Sequence, residues 1–206
     1  MAQASKRQKG GTAAQILDVA ERLVQARGFN GFSYADVAAE LGITKASLHY
    51  HFAGKAQLGE ALIGRYGARF ADALTEIDVT GANAPAKLNA YADIYAGVLD
   101  DHRMCLCGML AADYETLPSP LQAEVVRFFD DNEAWLTRVL EEGERDGTLR
   151  LAGSARETAQ ALVSGLEGAM LIARPYGDVS RFRTAAAGLL AGLVAAEQSD
   201  AAAQRG

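Results

Sequence analysis

The sequence predicts an all-α fold of about nine helices, a three-helix head over residues 1–55 followed by a larger helical body over residues 56–206. Three observations carry this. Only four prolines punctuate 206 residues, half of them hydrophobic and 22% charged, a balance that suits packed helices better than turn-rich sheets. Apolar residues recur at helical spacing between capping residues and glycines. No long run alternates β-branched with polar residues, the pattern that would argue for strands.

Composition also removes several classes of protein. The longest charge-free apolar stretch near the C-terminus, Thr184 to Ala196, is 13 residues, short of the ~20 that span a bilayer. The first 11 residues are polar and basic, with no apolar segment behind them, so they do not read as a secretory signal. The two cysteines, Cys105 and Cys107, are no disulfide framework, and a cytoplasmic chain with reduced thiols is expected. The net charge of −6 conceals a division. Residues 1–55 carry seven Lys/Arg against four Asp/Glu, and the remainder 13 against 22. A basic head on an acidic body suggests that the head meets a polyanion.

In the head, Thr12-Ala-Ala-Gln15 reads as a capping box. Ile16, Val19, Ala20, Leu23 and Val24 then form one stripe that Gly28 ends. Ser33 opens a second helix, Tyr34 to Leu41, closed by Gly42. Thr44 caps a third, Lys45 to about His51. Two short helices joined by Gly42-Ile43-Thr44 have the geometry of a helix-turn-helix, with Ile43 and Leu48 filling the angle and the third helix offering its outer face to a major groove. Leu48 and Phe52 are expected in the core.

The stretch Phe32-Ser-Tyr-Ala-Asp-Val-Ala-Ala-Glu-Leu-Gly-Ile-Thr-Lys-Ala-Ser-Leu-His-Tyr-His-Phe-Ala-Gly-Lys55 closely resembles the DNA-binding segment of the TetR family, and the likeness runs from Ile16 to Leu62. It departs at His49, where the family usually has Tyr, so an imidazole stands where a phenol is expected. Chemistry and resemblance together imply that Lys45, Ala46 and His49 face the groove and Thr44 caps the helix and touches phosphate. Tyr50, His51 and Lys55 contact the DNA backbone, as does Tyr34 from the second helix. Phosphate contacts give affinity and register, whereas groove contacts choose bases. The basic arm, residues 1–11 with Lys6, Arg7 and Lys9, adds phosphate or minor-groove contacts.

In the body, Lys55 to about Ile77 reads as one helix, with Leu58, Leu62, Tyr66 and Phe70 at four-residue steps. A linker, Asp78 to Pro85, leads to a fifth helix, Ala86 to Asp101. A short segment, Met104 to Glu115, follows. Ser119-Pro-Leu-Gln122 is a start signal for a helix to Asp146, stopped by Gly147. Ser154-Ala-Arg-Glu157 opens another to Ala173. The last spans roughly Asp178 to Glu197. The final two are apolar nearly all round and rich in Gly and Ala, so they need cover from outside one monomer. A two-fold homodimer seamed by these helices is expected, and the resemblance implies the same. Such a dimer holds two recognition helices about 34 Å apart over a palindromic operator in double-stranded DNA.

Tyr66, Tyr91, Tyr95, Met109, Phe128 and Trp135 supply an aromatic and sulfur-containing lining for a small-molecule effector pocket between helices. Cys105 joins the candidate ligand set. Placed in a first helical turn beside Arg103 and His102, its thiol is expected to have a lowered pKa. Cys105-Leu-Cys-Gly-Met-Leu-Ala111 resembles a C-L-x-G-x-L-A pattern in one branch of the family, some members of which respond to electrophiles or oxidants. His102 and Cys105 alone make an incomplete metal site, so no metal or cofactor is expected. The resulting expectation is a sequence-specific transcriptional regulator, a repressor released by a small apolar ligand or a thiol-reactive compound. The alternatives are a small helical enzyme, for which no catalytic constellation is evident, and an architectural DNA-binding protein without a switch. Salt dependence together with base discrimination separates the three.

Overall fold

The computed structural model describes residues 11–195; the basic arm before Gly11 lies outside the described residues. Nine α-helices are described: α1 Thr12–Arg27, α2 Tyr34–Leu41, α3 Lys45–His51, α4 Lys55–Thr80, α5 Ala84–Asp100, α6 Leu106–Ala112, α7 Ser119–Asp146, α8 Ala155–Ala173 and α9 Val179–Ala191. Short 3-10 turns, Tyr114–Thr116 and Arg174–Tyr176, follow α6 and α8. An isolated antiparallel bridge pairs Leu149 with Val194, and no strand is described.

The helix-turn-helix forms for local reasons. Ser33 and Asp36 cap each other reciprocally at the start of α2. At its end Gly42 is left-handed, with φ 66°, a conformation costly for any residue with a Cβ. This turn lets the Ile43 amide return to the Ala38 carbonyl at 3.0 Å. Thr44 then accepts from the Ser47 amide at 3.1 Å, a cap of the kind that contributes about 1 kcal/mol. Val37, Leu48 and Phe52 are buried behind the turn.

Two expected caps are not formed, for one reason. Gly11, not Thr12, is the N-cap residue of α1, and Pro118, not Ser119, that of α7; neither helix has a side-chain cap. Thr12 and Ser119 already lie inside their helices, one residue too late for their hydroxyls to close the box. Gln122 instead donates to the Tyr114 carbonyl at 2.9 Å. The expected linker shrinks because α4 runs on to Thr80 and Asn83 caps α5 by accepting from Ala86 N. The last helix stops at Ala191 rather than near Glu197. There the chain turns to pair with the segment after α7, through Arg150 N to Leu193 O at 2.8 Å and Ala195 N to Thr148 O at 3.1 Å.

Polar contacts fasten head to body. Glu21, buried on α1, accepts from Arg65 at 2.8 Å and from Arg69, both on α4. Past α1, the Asn30 amide donates to Asp113 at 3.2 Å and its side chain to Thr116 at 2.7 Å. Met104 N donates to Gln25 O, and Arg174, at the end of α8, donates to the Ala26 carbonyl.

Candidate nucleic-acid interface and effector core

On α3, Lys45, Ala46, His49 and Tyr50 are exposed along with the capping Thr44, and Tyr50 is 86% exposed. An aromatic side chain so bare contributes little to the core of the fold. Its ring meets His51 edge-on at 5.3 Å. His49 lies against the Tyr34 ring at 4.8 Å and its Nδ1 is 3.2 Å from the Ala53 carbonyl. A carbonyl only accepts, so in this contact Nδ1 is the donor.

Two expected DNA contacts are turned inward. The Tyr34 hydroxyl donates to the Phe52 carbonyl at 3.0 Å, and burial raises its pKa. Lys55 donates to the Phe32 carbonyl at 2.6 Å, with its ammonium over the rings of Phe32 (4.2 Å) and Phe29 (4.8 Å). Burial lowers the Lys55 pKa. This cation fastens the loop between α1 and α2 to the start of α4.

The body gathers six of the seven ligand candidates into one core. Tyr91 stacks on Trp135 at 5.6 Å, and Phe70 bridges Tyr66, Tyr91, Tyr95 and Phe128 at 5.1–6.2 Å. The Tyr66 hydroxyl reaches Cys105 Sγ at 3.7 Å. Met109 stands apart at the joint between head and body, its sulfur accepting from Arg174 at 3.4 Å. Buried Asn132, which sequence reasoning missed, accepts from Tyr91 at 3.1 Å and donates to the Phe128 carbonyl at 2.7 Å. A groove of about 290 Å³ opens beside this core between α4 and α7. Of the seven candidates, Phe128 lines it, with Asn132 beside it.

The expectation of a lowered Cys105 pKa is overturned. Cys105 is the N-cap residue of α6 and 1% exposed. Burial, and then the nearby Glu167 carboxylate, push its thiol well above the ordinary range, and Cys107 is raised likewise. The cations expected to help point elsewhere: Arg103 donates to Gln25 and Asp101, and His102 is exposed on a left-handed backbone, φ 57°. Among the described residues no group of three His, Cys, Asp or Glu is placed to hold a metal ion, and no helix is long and apolar enough to cross a membrane.

Glu167 was also missed. It is the one charge in the apolar run from Ala161 to Ile172 of α8, and that isolation was the available signal. Its Oε1 is buried without a hydrogen-bond partner, and burial pushes its pKa up to about 7. The ordinary value is 4.5, so between these two values the folded chain holds a proton that the unfolded chain releases. Stability therefore falls as pH rises through that window. Glu167→Gln is expected to stabilise the protein above pH 7 by up to about 3 kcal/mol, the gain vanishing toward pH 4.5. Urea unfolding at several pH values checks this; a gain independent of pH would contradict burial as the cause.

An outward-facing recognition helix on a small helical head, carried by a helical body with an aromatic core, defines a helix-turn-helix DNA-binding protein. The family model "Bacterial regulatory proteins, tetR family" matches residues 16–62, and "Tetracyclin repressor-like, C-terminal domain" matches residues 84–189. The chain belongs to the TetR family and is a DNA-binding transcriptional regulator. Members of this family bind DNA and ligands and act as dimers. A TetR-family regulator from Agrobacterium tumefaciens is 34% identical, with 89% of this chain and 97% of that one covered and a TM-score of 0.86. The transcriptional repressor NemR of Escherichia coli is 26% identical over 79% of this chain and 84% of its own. The regulator AcuR of Cereibacter sphaeroides is 26% identical over 72% and 69%.

Proposed function

We propose that this protein is a repressor that binds a palindromic operator as a two-fold dimer and is released when a thiol-reactive compound or a small apolar ligand alters its body. The observation that carries the reading is the pairing of an exposed α3 with an aromatic and thiol core that adjoins α6, the short helix packed on α1. Lys45, Ala46 and His49 read bases, while Thr44, Tyr50 and His51 meet phosphates. The dimer seam is the exposed apolar face of α8 and α9, where Gly165, Gly168, Ala169, Ile172, Ala185 and Leu189 border a shared hollow. An effector that binds the non-operator arrangement better draws the population away from DNA.

The test is titration against DNA upstream of the protein's own gene, with competitor DNA, before and after treatment with a mild thiol electrophile. Specific binding that is lost on treatment and retained in Cys105→Ser supports thiol sensing. Specific binding indifferent to treatment leaves the apolar-ligand arm, and no base discrimination removes the operator reading. Lys45→Ala is expected to change the preferred base at one position in each half-site by about 1–3 kcal/mol. An unchanged preference would take Lys45 out of the groove.

A further inference from the structure

We infer that Glu167 is the proton acceptor that makes the buried Cys105 thiol reactive toward neutral α,β-unsaturated carbonyl compounds. The inference rests on the thiol-sensing arm of the proposed function and assigns that site its base. Cys105 by itself is a poor nucleophile, for it is enclosed and its thiol resists ionisation. To ionise alone, it would add a second negative charge to a dry site already bordered by a carboxylate, at great cost.

The carboxyl of Glu167 stands beside that thiol, each group altering the other's ionisation. Its Oε1 has no partner, and Glu167 forms no ion pair among the described residues. A buried carboxyl whose neighbouring donor is the Cys105 thiol is costly for stability. Gly108 makes room for it: a Cβ there would lie 2.3 Å from Glu167 Oε2. The Glu167 residue is itself only partly buried, so its stem meets solvent on α8 while its carboxyl lies against Gly108 of α6. The other titratable groups acting on this pair are the Tyr66 hydroxyl from α4, Tyr91 and Tyr95 from α5, and Cys107 from α6. All are neutral at pH 7, because burial raises each pKa above its ordinary value.

The step balances without a further reagent. The Cys105 proton passes to the Glu167 carboxylate as sulfur bonds to the β-carbon. The carbon–carbon π pair shifts to form an enolate, and Glu167 returns the proton to the α-carbon. The product is a thioether, and Glu167 ends as it began. Net charge in the site stays constant through the proton transfer, which is why a carboxylate succeeds where solvent-exposed ionisation is closed.

The test is the rate of adduct formation at Cys105 in the full chain, followed by mass spectrometry with N-methylmaleimide from pH 5 to 9. The rate in the parent protein is expected to rise with Glu167 ionisation, near pH 7, and then level off. Glu167→Gln should lose that rise and react about 10²-fold more slowly at pH 7.5, a typical contribution of a positioned base. Glu167→Asp should recover part of the rate, and Gly108→Ala, which displaces the carboxylate without removing it, should also be slow. Circular dichroism confirms that each variant is folded. Equal rates and equal pH profiles in parent and Glu167→Gln would overturn the role of Glu167 and leave thiol sensing standing. A parent protein whose Cys105 never reacts while folded would overturn both.

Discussion

Replacing Ile172 by Asp is expected to leave a folded monomer that has lost operator binding. Ile172 is 62% exposed on α8, beside Gly165, Gly168 and Ala169 and facing Ala185, Gly188 and Leu189 of α9 along the same hollow. In the proposed two-fold dimer this patch meets its own copy, so one substitution would place two carboxylates in a single apolar seam. The Arg181 guanidinium that also borders the hollow is engaged over the Tyr176 ring at 3.7 Å, and two like charges brought together in an apolar interface are among the costliest changes it can suffer. Operator affinity should fall by 10²-fold or more, since on the order of that gain comes from linking two half-site contacts. Sedimentation and operator titration check both halves of the prediction. Leu189→Asp is a less clean probe, because Leu189 also covers its own chain's Gly165, where a Cβ would lie 2.8 Å from Leu189 Cδ1. A variant at Ile172 that remains dimeric would move the seam elsewhere.

Glu21→Ala should lower stability by about 2–3 kcal/mol, less than the 3–5 of a fully buried pair because its partners are partly in water. The Glu21 side chain is 8% exposed and joins Arg65 and Arg69, which are 24% and 50% exposed. Removing the carboxylate takes one of the two acidic partners of Arg65, leaving Asp18 at 2.7 Å and a guanidinium whose Nε already has no partner. Urea unfolding measures the loss. Because these pairs bind α1 to α4, the head should also open before the body, which hydrogen exchange of the α1 amides would reveal. A loss within 0.5 kcal/mol, the ordinary range of about ±0.5 for surface changes, would mean the pairs are solvent-screened in solution.

What could be read from the sequence was whatever local chemistry decides. Gly42 and Thr44 mark the turn of the recognition unit because a left-handed backbone and a capping hydroxyl are needed at those positions whatever packs around them. The reciprocal cap at Ser154 likewise forms as its residues suggest. What could not be read depends on distant chain. The end of α9 is fixed by pairing with Thr148 and Arg150, more than 40 residues earlier, and nothing near Gly192 announces it. Lys55 looks like a phosphate contact until Phe29 and Phe32 are brought beneath it. Cys105 has the neighbours in sequence that lower a thiol pKa, but the fold turns Arg103 away and supplies a carboxylate from α8 instead. A single Glu in an apolar helix was the only trace of that carboxylate.

The way the head is mounted has a mechanical result. α1 is the helix of the head that packs on α4 and α6, while α2 rests on α1 and α3 rests on α2. The recognition surface is thus the far end of an arm whose axle is α1, held near one end by Arg174 and Asp113. A small rotation about that axle sweeps α3 through a wider arc. In a symmetric pair the two arcs run in opposite senses, so the gap between the reading heads changes by twice the displacement of either. DNA supplies a fixed ruler of about one helical turn, so a body that tilts this axle slightly can put both heads out of register together.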